Sequence, residues 1–259
     1  MKTSEIVNYL VSKYPQNVAS DIDTGKIGLQ FGSMNNEVKK VMIALDGSLK
    51  VIEEAVEKNV DLIILHHPLL FYPIINLNYD SPLGRKLKLL LSNNINVFSM
   101  HTNFDVANGG MNEILANILK LKNIRMVHSE VSKESLIRVG EIEPLKLADF
   151  AKKASEVFLE NTVRYVGSPD KEIKTVGIVG GAGSSELFTA LRNGCDCLIT
   201  GEVHHHQAYD ALENGIALVE VSHSVERHFA SVVKEDLENK FNNIDIFVSD
   251  NNINPFNGI

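Results

Sequence analysis

The chain has 259 residues, 44% of them hydrophobic and 22% charged, with a net charge of −8. These proportions suit a globular protein with a sizeable core in one large domain or two modest lobes. The negative charge disfavours nucleic acid and anionic membranes as partners, and neither a membrane-spanning apolar run nor a signal-peptide core is expected. Cys195 and Cys197 stand i, i+2 on an apparent strand, a spacing that disfavours a mutual disulfide. They read as buried, reduced packing residues, and the expected location is cytoplasmic.

Ile6, Tyr9 and Leu10 have helical spacing, with Thr3 or Ser4 as N-cap. The glycine-bearing stretch 21–32 reads as a loop and a short strand. A βαβ unit follows: a strand at 41–46, a helix capped by Ser48 and running to about Lys58, and a strand at 61–65. The runs Arg85-Lys86-Leu87-Lys88 and Lys120-Leu121-Lys122 read as solvated helix faces. Residues 129–166 are expected to cross between lobes, with a strand near 136–140 and an amphipathic helix at 146–159. A second strand–helix–strand unit occupies 176–199, and its strands stand 20 residues apart, as in the first unit (Val41 to Asp61, Val176 to Asp196). A final strand is expected at 244–249 and a frayed end at 251–259. The predicted fold is therefore α/β, with two similar lobes formed by an internal pseudo-repeat: residues 1–128, and residues 129–259 including the crossover segment.

Most of the imidazoles gather at strand ends. Of the nine histidines, only His128 stands apart from the segments 62–68, 97–105, 197–206 and 218–228. Strand tips are where α/β proteins build sites. His66-His67-Pro68 ends one strand, and the proline can twist both imidazoles toward one pocket. His101-x3-Asp105 and His223-x2-Glu226 add histidine–carboxylate pairs in equivalent places of the repeat. Imidazole with carboxylate suits Zn, Mn or Fe(II), and two similar lobes facing each other would bring these ends into the cleft between them. Asp46 is expected to face the same cleft, binding a substrate hydroxyl or joining Ser48 in helix capping. The run Gly180-Gly181-Ala182-Gly183-Ser184 joins a strand to a helix, but it is neither a P-loop nor a full dinucleotide fingerprint. Helix-on-strand packing is the favoured reason for its glycines.

Together these segments, with Gly28-Leu29-Gln30-Phe31-Gly32 and Thr200-Gly201-Glu202-x2-His205-His206, resemble the GTP cyclohydrolase 1 type 2 homolog family, also known as the NGG-interacting-factor-three-like proteins. The resemblance runs from about residue 3 to residue 248. It implies two related α/β lobes, a dinuclear centre of two divalent transition-metal ions between them, and a homo-oligomer, a toroidal hexamer. The implied metal ligands are His66, His67, Asp105, His223 and Glu226, with Glu226 the bridge and catalytic. His101, His205 and His206 fall near the centre without being its usual ligands. They orient ligands or carry protons for a substrate, and His101 is the further catalytic candidate. Glu202 is either an acceptor for a ligand or a helix N-terminal acid, and His204 is expected to point to solvent. The chain departs from the family pattern in having Ser222 where a glycine commonly precedes the late histidine, and in lacking tryptophan.

The expected function is that of a metal-dependent hydrolase of a nucleotide or related phosphorylated or heterocyclic compound. The alternative is a non-catalytic metal-binding or regulatory scaffold that forms a ring.

Overall fold

A computed structural model of the chain describes residues 1–129, 134–252 and 254–257. In chain order it contains α1 (Thr3–Lys13), β1 (Gly28–Phe31), β2 (Lys40–Ala44), α2 (Leu49–Glu57), β3 (Leu62–Leu65), α3 (Pro82–Ser92), β4 (Asn96–Ser99) and α4 (Thr102–Val106). Then come α5 (Met111–Ile118), β5 (Lys122–Met126), β6 (Arg138–Lys146), α6 (Leu147–Phe158), β7 (Arg164–Val166) and β8 (Glu172–Val179). The remainder is α7 (Leu187–Arg192), β9 (Cys197–Thr200), α8 (His205–Asn214), β10 (Ala217–Glu220), α9 (His228–Lys240) and β11 (Asp245–Val248). Among the described residues, no helix is long and apolar enough to cross a membrane.

The chain divides into two compact units. The first contains residues 1–107 and 227–252; the second contains residues 108–226 and the described residues from 254 onward. In the first unit, β11, β2, β3 and β4 are parallel, and β1 closes the sheet antiparallel to β4. Strands such as Leu62–Leu65 are buried at every position, as continuous apolar runs should be when helices cover both faces of a parallel sheet. Met42, Ile52, Ile63, Leu90 and Val97 meet in its core. Ser48 caps α2 by accepting from Val51 N at 3.2 Å, as its position before an apolar helix requires. At the first helix the cap is Lys2 rather than Thr3 or Ser4, and the Glu5 carboxylate accepts from the Lys2 backbone N–H.

The second unit repeats the plan. Strands β8, β9 and β10 are parallel, β7 closes the sheet antiparallel to β10, and β6 with β5 extends the other edge. Val41 lies opposite Leu62 in one sheet and Val176 opposite Cys197 in the other. Asp61 Oδ2 accepts from Lys39 N and Lys40 N at 2.8 and 2.9 Å; Asp196 Oδ2 accepts from Lys174 N and Thr175 N at 2.9 and 2.8 Å. The two units thus repeat a side-chain clasp as well as a strand order.

The outline of the units differs from lobes divided at 128/129, because β11 pairs with β2, placing Asp245 opposite Lys40. A strand is anchored by its ladder, so this pairing carries the C-terminal stretch back to the first unit. Residues 130–133 of the expected crossover segment, and 253, 258 and 259 of the expected frayed end, lie outside the described residues. The end is tied down at 251 and 252, contrary to expectation: Asn252 Oδ1 accepts from Leu45 N at 2.7 Å and Asn251 Nδ2 donates to Glu54 Oε2 at 2.9 Å.

Candidate metal centre

In the first unit, three imidazoles gather beyond the C-terminal ends of β3 and β4. The His66 and His67 rings lie 5.0 Å apart between centroids, and His101 stands 5.3 Å from His66 and 5.7 Å from His67. His66 is fully buried, while His67 and His101 are partly exposed. Each ring has an oxygen at Nδ1: the Met100 carbonyl at 2.9 Å from His66, Asp46 Oδ1 at 2.7 Å from His67, and Asp23 Oδ1 at 2.7 Å from His101. A carbonyl only accepts, and so does an ionised carboxylate, so each neutral ring carries its proton on Nδ1 and presents an Nε2 lone pair. The three residues can offer nitrogen atoms within 4.8 Å of one another. Asp105, one helical turn beyond His101 in α4, brings Oδ1 to 3.5 Å from His66 Nε2.

The second unit carries a histidine–carboxylate set after β9 and β10. His223 and Glu226 lie in a 3-10 turn starting at His223. That turn has about three residues per revolution, so positions i and i+3 fall on one face, and His223 Nε2 lies 3.1 Å from Glu226 Oε2. Glu202 Oε1 accepts from His223 Nδ1 at 2.6 Å. Glu202 therefore acts on an imidazole, as Asp46 does in the first unit, and it precedes rather than begins the helix α8.

The glycine run packs tightly against this carboxylate. A Cβ on Gly180 would come within 2.9 Å of Glu226 Oε1, and one on Gly181, where φ is +56°, within 2.8 Å. These glycines let the backbone approach the acid closely, beyond the helix-on-strand packing expected of them. Ser222 has φ +112°, a conformation that glycine adopts readily and serine does not. The glycine common at this position in the resembling family has its physical reason here. Ser222 Oγ accepts from Ser224 N at 3.2 Å and from Asn254 Nδ2 at 3.3 Å.

His205 and His206 sit exposed in the first turn of α8. The His205 ring meets Tyr209 edge-on at 5.2 Å, and His206 stacks on exposed His204 at 5.8 Å. The cysteines are free and buried, and burial raises both thiol pKa values, Cys195 to about 12, which suits packing rather than nucleophilic work.

Some contributing residues were not singled out as site residues from sequence. Gln30 lies at an irregularity in β1, between Leu29 and Phe31. Its Oε1 accepts from Leu69 N at 2.6 Å and Ser99 Oγ at 3.0 Å, and its Nε2 donates to Lys26 O at 2.7 Å. A bulge re-aims a side chain, and here it fixes the loop after His66-His67-Pro68. Asp23, whose side chain is fully buried, is the second such residue. Burial raises its pKa, but the bonds from His101 and Thr102 outweigh that and hold it below the usual aspartate value. Lys86, in a run read as solvated, is half-buried; burial lowers its pKa while the Asp46 carboxylate opposes the shift. Arg85 and Lys88 of that run are exposed as expected, and Lys122 lies in β5 rather than on a helix.

The His, Asp and Glu clusters could hold a metal ion. The donors fit one chemically: imidazoles with the proton held away from Nε2, beside carboxylates, are the set that borderline divalent ions select.

A family model described as Duf34/NIF3 (NGG1p interacting factor 3) matches residues 1–255. A Clostridium acetobutylicum relative named GTP cyclohydrolase 1 type 2 homolog is 34% identical, across 99% of this chain and 98% of its own length. A Staphylococcus aureus hypothetical protein of solved structure has a TM-score of 0.93 at 30% identity, covering 100% of this chain and 99% of its own. Reduced HcgD from Methanocaldococcus jannaschii superposes with a TM-score of 0.82 at 30% identity, covering 96% of this chain and 98% of its own.

Proposed function

From the premise that the chain belongs to the Duf34/NIF3 family, we propose that it is a dinuclear divalent-metal protein acting as a hydrolase. Its substrate is a nucleotide or a related phosphorylated or heterocyclic compound, a class suggested by the name of its curated relatives. The ligands are His66, His67, Asp105, His223 and Glu226, and the ions are Zn, Mn or Fe(II). The observation that carries this reading is the oxygen acceptor at the Nδ1 of His66, His67 and His223. Such partners fix tautomer and ring orientation and raise ligand basicity.

Bound divalent ions supply Lewis-acid polarisation of a substrate oxygen and acidify water. The chain does the rest. Asp46 and Glu202 fix the orientation of two imidazoles, and Gly180 and Gly181 let the backbone lie close against the Glu226 carboxylate. His101 gives or takes a proton at Nε2. The chain assembles as a homohexamer, as the family resemblance implies, in keeping with the closed symmetry usual for homo-oligomers.

The test is hydrolysis of a panel of nucleotides and pterin-like compounds, with and without chelator, by the wild type and Glu226→Gln. Metal-dependent turnover that Glu226→Gln abolishes, with the assembly unchanged in light scattering, supports the reading. Metal binding without turnover on any compound favours a non-catalytic scaffold, and a monomer at micromolar concentration overturns the hexamer.

A further inference from the structure

His101 is held more firmly than a strand-end residue needs. Asp23 lies in the 3-10 turn Asp21–Asp23, far from His101 in sequence, with its side chain fully buried. Its Oδ1 meets His101 Nδ1 at 2.7 Å, and its Oδ2 accepts from Thr102 N at 2.9 Å and Thr102 Oγ1 at 2.5 Å. Thr102 Oγ1 in turn accepts from Ser20 N at 2.8 Å. From the other side, Asn103 Oδ1 accepts from His101 N at 2.9 Å, and Asn103 Nδ2 donates to Tyr14 O at 2.9 Å. Both oxygens of Asp23 are thus engaged, and the loop that carries it is pinned at two points. Burying a carboxylate is costly unless it is bonded in this way. A loop clasp alone would need only the Thr102 bonds; the remaining oxygen goes to the imidazole.

We propose that Asp23 is a positioning residue for His101: it fixes the Nδ1–H tautomer and presents the Nε2 lone pair beside His66 and His67, as an acceptor for a water or hydroxyl ligand held there. The proposal deepens the hydrolase reading and rests on it for the nature of that ligand. In this role Asp23 is assigned no contact with substrate or metal. Its effect passes through the ring it holds, as a carboxylate orients the imidazole of a catalytic triad.

The tautomer can be read directly. Protein labelled with 15N-histidine is studied by long-range proton–nitrogen correlation at about pH 8, where a histidine of ordinary pKa is neutral. Spectra are recorded before and after loading with zinc, and His101→Gln identifies the resonance. The wild type should show His101 as the Nδ1–H form in both states. In Asp23→Asn the amide can donate to Nδ1, so the ring should switch to Nε2–H or become a mixture. Asp23→Glu should restore the Nδ1–H form, and zinc content should match the wild type in both variants. A wild-type ring in the Nε2–H form overturns the proposal, and that spectrum needs no variant to fold. An unchanged tautomer in folded Asp23→Asn, or loss of zinc as complete as in Asp105→Ala, also overturns it. The spectra without zinc need neither metal nor turnover. A tautomer switch in a chain that takes up no zinc would uphold the positioning role and sink the metal reading; zinc uptake without the switch would do the reverse.

Discussion

Asp46 reaches His67 across the strand ends of the first unit, its Oδ1 2.7 Å from the ring Nδ1. The carboxylate is half-exposed and the imidazole partly buried, so the pair is worth little as a salt bridge to the fold. Its effect is on direction: it turns Nε2 of His67 toward the other donors. Glu202 and His223 repeat the arrangement at 2.6 Å in the second unit.

Removing either carboxylate should therefore cost metal rather than fold. Asp46→Ala and Glu202→Ala are each expected to weaken divalent-ion affinity by about 10–100-fold while the unfolding midpoint without metal stays close to that of the wild type. Competitive titration against a coloured chelator measures the first quantity and urea denaturation the second. An affinity unchanged in both variants would remove the orienting role.

The purified chain should carry close to two transition-metal ions, since five ligands with a bridging carboxylate can hold a pair. Asp105→Ala and His223→Ala should each lose metal and still fold. Elemental analysis decides it: trace metal after purification without chelator, with no uptake on reconstitution, would contradict the ligand assignment.

Ser222 bears positive φ at +112°. Replacing it by glycine relieves a conformation that costs a serine about 1–3 kcal/mol. The Oγ bonds to Ser224 N and Asn254 Nδ2, at 3.2 and 3.3 Å, are lost in exchange. A net gain of about 1 kcal/mol is expected for Ser222→Gly, read as a higher urea midpoint. A β-branched residue such as valine should lower it. Equal stability in all three proteins would show that the backbone there is not strained.

Glu54 should make part of the stability depend on acid. Burial raises its pKa, but bonds from Lys58, Ser249, the Asp250 N–H and Asn251 overcome this and hold it at about 2, against an ordinary 4.5. A carboxyl with a depressed folded pKa stabilises the protein fully above its unfolded pKa, and that contribution fades as pH falls toward the folded value. Stability should thus decline between about pH 4.5 and pH 2, and Glu54→Gln should be less stable at neutral pH with a shallower decline in that window. Parallel acid-denaturation curves for the two proteins would rule Glu54 out as a cause.

Much of the fold was legible because it is local. The apolar runs at 41–44 and 62–65 read as buried strands, Ser48 before Leu49 reads as a helix start, and the 20-residue repeat from Val41 to Asp61 recurs from Val176 to Asp196. The run at 62–65 sets His66 and His67 just past a strand end, and the run at 217–220 leads into the turn that begins at His223, so the sequence marks all three as candidates. Tertiary structure alone decided what holds them. Asp23 lies 78 residues from His101, Asp46 lies 21 from His67, and Gln30 lies 69 from Ser99. No periodicity links such positions, because a hydrogen bond between distant side chains leaves no pattern along the chain. The return of β11 to β2 is of the same kind: the sequence determines that 245–248 is a strand, but the choice of neighbour belongs to the ladder that the folded sheet leaves open.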